Sequence, residues 1–393
     1  MLSNLQQQPA DALLALIKLH NVDPRSFKID LGVGVYRTGQ GDTPVFSAIK
    51  AAEQILVKTQ DSKAYLGPEG DMGFVEALKP YIFGQQSAPV AAGRIDGMQA
   101  PGGTGALRLA FAMAKRAGVR RFWMGTPSWP NHAQIFADLG CKLETFTHNT
   151  SAGTVDMNAL RAAIAAADPG DAILLHGCCH NPTGIDYTPA DWDEIAGLVA
   201  ARKLLPILDL AYQGLGQGWE EDAYGVRCVL DAVPEALIAY SCDKNFGLYR
   251  DRVGAVYVMM AEVGQLPAVM SNGHALARAS WSQPPDHGAA AVRLVLNDAG
   301  LTRRWLDELD TMRVRMRQVR EELAAAGEVG GIDLTAIRSQ NGLFSIIPFT
   351  PDQVQAMRDR HGIYFAGSGR INIAGLTLGN IGTFLAAVAD VTG

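Results

Sequence analysis

A dominant charge of either sign is the first thing this 393-residue chain lacks: 34 lysines and arginines stand against 40 aspartates and glutamates, a formal net charge of −6. Nucleic acids and acidic membranes select a basic footprint, so neither is an expected partner, and a small anionic substrate has to be met by individual arginines. Cysteine is scarce. The five present, Cys141, Cys178, Cys179, Cys228 and Cys242, are odd in number and show no C-x-x-C spacing. That argues against a disulfide framework or structural zinc site and makes the reducing cytoplasm the expected compartment. Long apolar runs are missing as well. The opening stretch MLSNLQQQPADALLALIKLH has no basic segment, and Asp11 and Lys18 interrupt its apolar part. It is read as neither signal peptide nor membrane span, but as a helix from Asp11 to Leu19 behind Pro9.

What is present is an ordinary share of hydrophobic residues, 48%, enough for a buried core and arranged as alternating strand and helix patterns. That alternation is the mark of an α/β protein with a mainly parallel sheet. The most informative stretch is 236–254, ALIAYSCDKNFGLYRDRVG. Ala236–Ser241 has strand length, and Cys242-Asp243-Lys244-Asn245 with Gly247 breaks it. Lys244 should therefore project from a strand's carboxyl end, where α/β folds keep their chemistry. A lysine there reads two ways: as solvated surface charge, or, with its pKa lowered by burial or a nearby cation, as an amine able to form a Schiff base with a carbonyl or pyridoxal phosphate. Arg252 divides similarly between a phosphate ligand and an ion pair with Asp251.

Other stretches add candidates. Gly102 and Gly103 precede a helix expected from about Thr104 to Ala117, whose free peptide N–H groups and dipole make an anion site that glycines let a phosphate approach. Neither a Walker Lys-Ser/Thr nor G-x-G-x-x-G accompanies it, which disfavours a dinucleotide. Trp129 lies in a two-proline turn, where a flat aromatic suits a planar ligand better than a core. The apolar run 173–175 enters His176-Gly177-Cys178-Cys179-His180-Asn181-Pro182-Thr183-Gly184. A metal reading is rejected there, because alternating side chains cannot easily aim at one tetrahedral ion. Asp209 ends another apolar run, Leu204–Leu208, and a carboxylate so placed needs a partner such as a pyridinium N–H. Apolar residues from Trp305 to Leu323 recur at helical spacing, reading as one long helix over 302–325 that bridges domains.

These stretches, in this order, resemble the class I aminotransferases of the aspartate and aromatic amino acid branch. The lysine segment follows S-x-S-K-N-F-G-L-Y-x-E-R-V-G, with Asp243 for the second serine and Asp251 for the glutamate. GGTGAL is similar to S-G-T-G-A-L, with Gly102 for the serine, and RASWSQPPDHG to R-x-x-Y/W-S-N-P-P-x-H-G, with Gln283 for the asparagine. LGVGVYR, AYLGPEG, SWPNH, HGCCHNPTG, DLAYQG and GRINIAGL also match. The resemblance implies pyridoxal 5'-phosphate (PLP) bonded to Lys244, which then moves the substrate α-proton. Its phosphate would lie on Gly103, Thr104, Ser241 and Arg252, and on Tyr65 of the neighbouring subunit of a homodimer. Its ring would lie against Trp129, with Asp209 on the ring nitrogen and Asn181 and Tyr212 on the phenolic oxygen. His132 and His176 would stand behind Asp209. Arg370 would fork onto the substrate α-carboxylate, a geometry that suits arginine, with Gly34, Trp129 and Asn181 alongside. Arg278 would bind a distal carboxylate across the interface.

The expected architecture is PLP fold type I: a large domain over 46–300, and a small α/β domain made of 1–45, with its N-terminal arm, and 301–393. The expected activity is ping-pong transamination between an L-amino acid and a 2-oxo acid such as 2-oxoglutarate. A PLP lyase or decarboxylase, a non-catalytic PLP-binding regulatory module and a PLP-free Schiff-base lyase are the alternatives. Aspartate and aromatic substrates are not distinguished.

Overall fold

The computed structural model describes residues 2–7 and 12–393. Pro9 and Asp11 lie outside them, and the first long helix is described from Ala12 to Val22. No helix among the described residues is long and apolar enough to cross a membrane.

Seven strands build the central sheet: β1 (Ile95–Pro101), β2 (Arg121–Thr126), β3 (Lys142–Thr147), β4 (Ala172–His176), β5 (Leu205–Leu210), β6 (Ala236–Ser241) and β7 (Val253–Met259). In space they run β1-β7-β6-β5-β4-β2-β3, and the pairings are parallel except those of β7, which opposes both neighbours. The sheet is therefore mainly parallel, as the strand and helix alternation implies. β6 and β7 are buried at every position. Ile238 and Tyr240 join one apolar cluster, while Leu237 and Ala239 join the other. Both faces being covered, the strand reads as a continuous apolar run rather than an alternation. Each fully buried side chain of Ile size contributes about 1.5–3 kcal/mol by leaving water.

Two helices differ in their bounds from the sequence reading. Helix α1 (Gly102–Arg116) begins at Gly102 because β1 passes into it directly at Pro101, and Gly102 makes the turn with φ of +67°. Asp209 stands at the end of β5, one residue before its last, paired in register with His176 and Ala239. Helix α2 (Pro130–Asp138) starts directly after Trp129.

Helix α3 (Ala299–Ala325) starts earlier than its apolar stripe, since Asp298 caps it by accepting the Leu301 N–H. It packs against the loop after β6 and against the segment 341–345. Near its start the fully buried Trp305 stacks on Phe246 with centroids 4.2 Å apart and donates to the Asn245 carbonyl at 2.7 Å. Near its end the buried Arg320 donates to Ser345 Oγ and to the carbonyls of Asn341, Gly342 and Phe344. The chain's two ends also join, Ile29–Asp30 pairing in parallel with Ile363–Tyr364, while Phe344–Ile346 pairs antiparallel with Arg370–Asn372.

Candidate active site

A cavity of about 330 Å³ opens at the carboxyl ends of the parallel strands. Lys244 projects into it from the loop after β6, and Asn181 from the loop after β4. Asp209 and Tyr212 come from the end of β5 and the turn beyond it. Gly103, Thr104 and Arg252 belong to the lining, as do Gly34, Arg370, Trp129 and His176, whereas Ser241 and His132 stand behind it.

The wall behind the cavity is a chain of hydrogen bonds. His132 Nε2 lies 3.0 Å from Asp209 Oδ2, its Nδ1 lies 3.0 Å from Ser128 Oγ, and that oxygen lies 3.0 Å from His176 Nε2. Burial pushes His176 down to about 3, so it is neutral. The order that satisfies every atom is His176 N–H to Ser128, Ser128 O–H to His132, and His132 N–H to the carboxylate. Burial pushes Asp209 up, but the His132 hydrogen bond, with His132 and Lys244 nearby, outweighs it and holds the carboxyl below its usual range. Oδ2 is taken by His132, so Oδ1 remains for a ligand N–H.

Lys244 is lowered from the ordinary amine value, first by desolvation, which Asp243 and Asp209 only partly counter. Its Nζ stands 5.1 Å from the centre of the Tyr212 ring. Burial raises the Tyr212 phenol, and the Asn181 amide donates to its oxygen at 3.4 Å. Arg370 donates to the Gly32 carbonyl at 3.0 Å and lies 4.4 Å over the Phe344 ring.

Ser241 is fully buried under Gly103, where a Cβ would come within 3.0 Å of the serine Cβ. Arg252 pairs with Asp243 rather than Asp251. Tyr65 and Arg278 do not reach the cavity of this protomer: Tyr65 is 94% exposed, and Arg278 is exposed with a bond to Ser282 Oγ at 2.6 Å. Gln283 ties their two segments together by accepting the Leu66 N–H at 2.8 Å. Cys178, Cys179 and Asp222 lie within 4.8 Å of one another. Both Asp222 oxygens already accept peptide N–H bonds from Gly214, Gly216 and Gln217, so that trio offers no free carboxylate.

Sequence reasoning missed three contributors. Tyr249 lines the cavity and accepts the Tyr36 N–H at 2.9 Å; its place in the lysine motif was the available signal. Phe344 supports Arg370, and Ser128 bridges the histidines.

The residues suit a cofactor with a phosphate at one end and a basic ring nitrogen at the other. The N-terminus of α1, at Gly103 and Thr104, lines the cavity where the first would lie, and a buried carboxylate awaits the second. Asn181 Oδ1 and Arg370 Nε are buried without hydrogen-bond partners, as a polar ligand between them would require. Together with a desolvated lysine amine, this makes the protein a PLP-dependent enzyme of fold type I. The model of the family described as aminotransferase class I and II matches residues 26–388, and the chain belongs to that family. A tyrosine aminotransferase of Rhizobium meliloti is 49% identical over 96% of both chains, and the aspartate aminotransferase of Escherichia coli is 39% identical over the full length of both. A solved aromatic-amino-acid aminotransferase from Burkholderia pseudomallei, covalently bound to pyridoxal phosphate, superposes with a TM-score of 0.95 at 34% identity, covering 100% of each chain.

Proposed function

We propose that this cavity carries out amino-group transfer between a dicarboxylic or aromatic L-amino acid and a 2-oxo acid, with Lys244 as cofactor anchor and proton carrier. The observation that carries the reading is the lowered Lys244 amine in one cavity with Arg370, a cation that has no carboxylate partner among the described residues. Bound there, PLP supplies an electron sink for the bonds at the substrate α-carbon. The chain's residues supply the rest. Arg370 orients the α-carboxylate, with Gly34 and Asn181 beside it. Lys244 Nζ takes the α-proton and returns it. Asp209 Oδ1 holds a proton on the ring nitrogen, and the hydrogen-bond chain through His132 keeps that oxygen ionised and aimed. Trp129 covers the ring, Asn181 and Tyr212 bind its phenolic oxygen, and Gly103, Thr104, Ser241 and Arg252 hold the phosphate.

Tyr65 and Arg278 belong in this reading to the site of a second copy in a homodimer, which their exposure here supports. The division into a large body over 46–300 and a small one over 1–45 and 301–393 is part of the same reading, supported by the pairing of Ile29–Asp30 with Ile363–Tyr364. A cytoplasmic location accords with the free cysteines. The test is the visible spectrum of the purified protein before and after an amino acid is added, with the 2-oxo product assayed. Loss of the lysine-bound band on adding aspartate, and its return with 2-oxoglutarate, is the expected result. Release of ammonia or carbon dioxide in place of amino transfer would support a lyase or decarboxylase instead.

A further inference from the structure

The two family serines that this chain replaces, at positions 102 and 243, are neighbours in space. Asp243 is buried; its Oδ2 accepts from Arg252 Nη1 and its Oδ1 from the Val253 N–H at 3.2 Å, while its own N–H donates to Ser241 Oγ at 3.3 Å. A Cβ on Gly102 would fall 2.6 Å from Arg252 Nη2 and 3.0 Å from Asp243 Oδ2. The glycine leaves room for the ion pair, so the two departures form one change. Between the N-terminus of α1 and Arg252 the cradle thus carries a carboxylate where the family pattern has hydroxyl donors.

A phosphate that reaches Arg252 meets a second anion already on it. The other groups facing Asp243 are few. Within its loop, Lys244 and Arg252 favour the carboxylate, whereas Cys242 and Tyr249 are themselves kept protonated in part by it. Across from it, α1 presents Gly102 and peptide groups, β7 presents the Val253 N–H, and Asp209 of β5 competes for the charge of Lys244. Burial raises Asp243 above the ordinary carboxylate value in spite of both cations.

We propose that Asp243 couples phosphate binding in this cradle to proton uptake: the phosphate takes Arg252 from Asp243, and Asp243 takes a proton from solvent. One proton is gained for each phosphate bound, so the local charge that the phosphate adds is partly cancelled. The neutral carboxyl then has an O–H to donate, the role a serine hydroxyl fills in the family pattern. The inference rests on the reading that the cofactor phosphate lies on Arg252. Affinity should fall as pH rises above the Asp243 pKa, by up to about tenfold per pH unit, and level off where Asp243 stays ionised in both states.

The probe is pyridoxamine 5'-phosphate, which forms no bond to Lys244, titrated by calorimetry into the full-length chain freed of cofactor. Two buffers of unlike ionisation heat, between about pH 5.5 and 8.5, report protons taken up across the carboxyl and histidine range. Wild type should take up more protons than Asp243→Ser, and Asp243→Ser should bind at least ~10-fold more tightly at the alkaline end, a like charge having been removed. The probe's own phosphate ionisation is common to both proteins and cancels. Pyridoxamine without phosphate should not distinguish them. If Asp243→Ser fails to fold, Gly102→Ser with Asp243→Ser restores both family serines and serves instead. Equal proton uptake with unchanged affinity overturns the coupling. Arg252→Leu separates the two levels: if it binds the probe as wild type does, the phosphate reading itself fails, whereas a large loss there with no effect of Asp243→Ser leaves that reading standing and removes only the coupling.

Discussion

The cavity has an arginine at each end, and the two are held in opposite ways. Arg252 faces an acid of its own chain, Asp243. Arg370 rests on a backbone carbonyl and an aromatic face, with Nε buried and unbonded. A guanidinium kept from carboxylates stays charged, since arginine does not lose its proton in proteins, and its burial makes an arriving carboxylate worth more than the same contact in water. Electrostatic demand is thus stronger at the Arg370 end, while the Arg252 end is closer to neutral before any ligand arrives.

The largest effect should come from what lies between the two ends. Lys244→Ala removes the proton carrier and should lower turnover by at least ~10³-fold, within the range for a lost acid–base group. Borohydride reduction of the PLP-bound protein followed by peptide mapping should place the label on Lys244; label on another lysine would move the centre of the site. Next is Asp209→Asn, which keeps shape but not charge and should cost about 10²-fold in turnover, comparable to loss of one preorganised electrostatic group. Near-normal rates with PLP bound would remove Asp209 from the ring nitrogen.

Arg370→Leu tests the contrast directly. Losing a charge-assisted bond worth about 1.5–3 kcal/mol should reduce kcat/KM by about 10- to 100-fold for aspartate and phenylalanine alike, since both present an α-carboxylate. Arg278→Leu should depress aspartate by at least ~10-fold and spare phenylalanine, which lacks the distal carboxylate. Equal losses with the two substrates would make Arg278 structural.

A stability effect, separate from turnover, concerns the buried histidines packed behind the cavity. His148 and His176 both stack on His180, with ring centroids 3.7 Å and 4.2 Å away, and burial holds His148 at about 4 and His176 at about 3, both below the unfolded value. A depressed histidine binds its proton in the unfolded chain first, so this stability is complete above about pH 6.5 and lost as pH falls from there towards 3–4. By pH 5 the loss is about 2 kcal/mol per histidine. Urea midpoints at pH 7 and pH 5 measure it, and His148→Gln should flatten the dependence; an unchanged slope would falsify the assignment.

Much of this was legible because the chemistry follows chain breaks. Ala236–Ser241 was read to the residue, an apolar run between breakers, and Lys244 followed from it. Asp209 reads as a strand's end because a charge closes the apolar run, and it stands one residue before the end of β5, where the hydrogen bond from His132 supplies its partner. The alternative partner for Arg252, Asp251, came from adjacency in sequence. At φ of +56° the arginine turns back across its loop to Asp243 instead. The roles of Tyr249 and Phe344 are not legible in sequence, because they depend on contacts with residues far away along the chain, Tyr36 and Arg370. Tyr65 and Arg278 rest on the resemblance alone, since neither is among the residues lining the cavity of its own chain.

The reversed strand β7 has a consequence for how the site is assembled in time. Its amino end meets the carboxyl end of β6, Ser241 facing Gly254 and the Cys242 N–H bonding the Val253 carbonyl at 2.9 Å. A parallel successor would have needed a crossover of a dozen or more residues returning to the far edge. Here Lys244 and Arg252 share one short antiparallel excursion, which closes with little entropy loss, whereas Asp209 and Gly103 must be recruited across long stretches of chain. In a refolding chain the lysine and arginine should reach their native spacing before the carboxylate and helix N-terminus arrive. Substitutions at the β6–β7 seam should then slow refolding, while equally destabilising ones in β5 should mainly hasten unfolding.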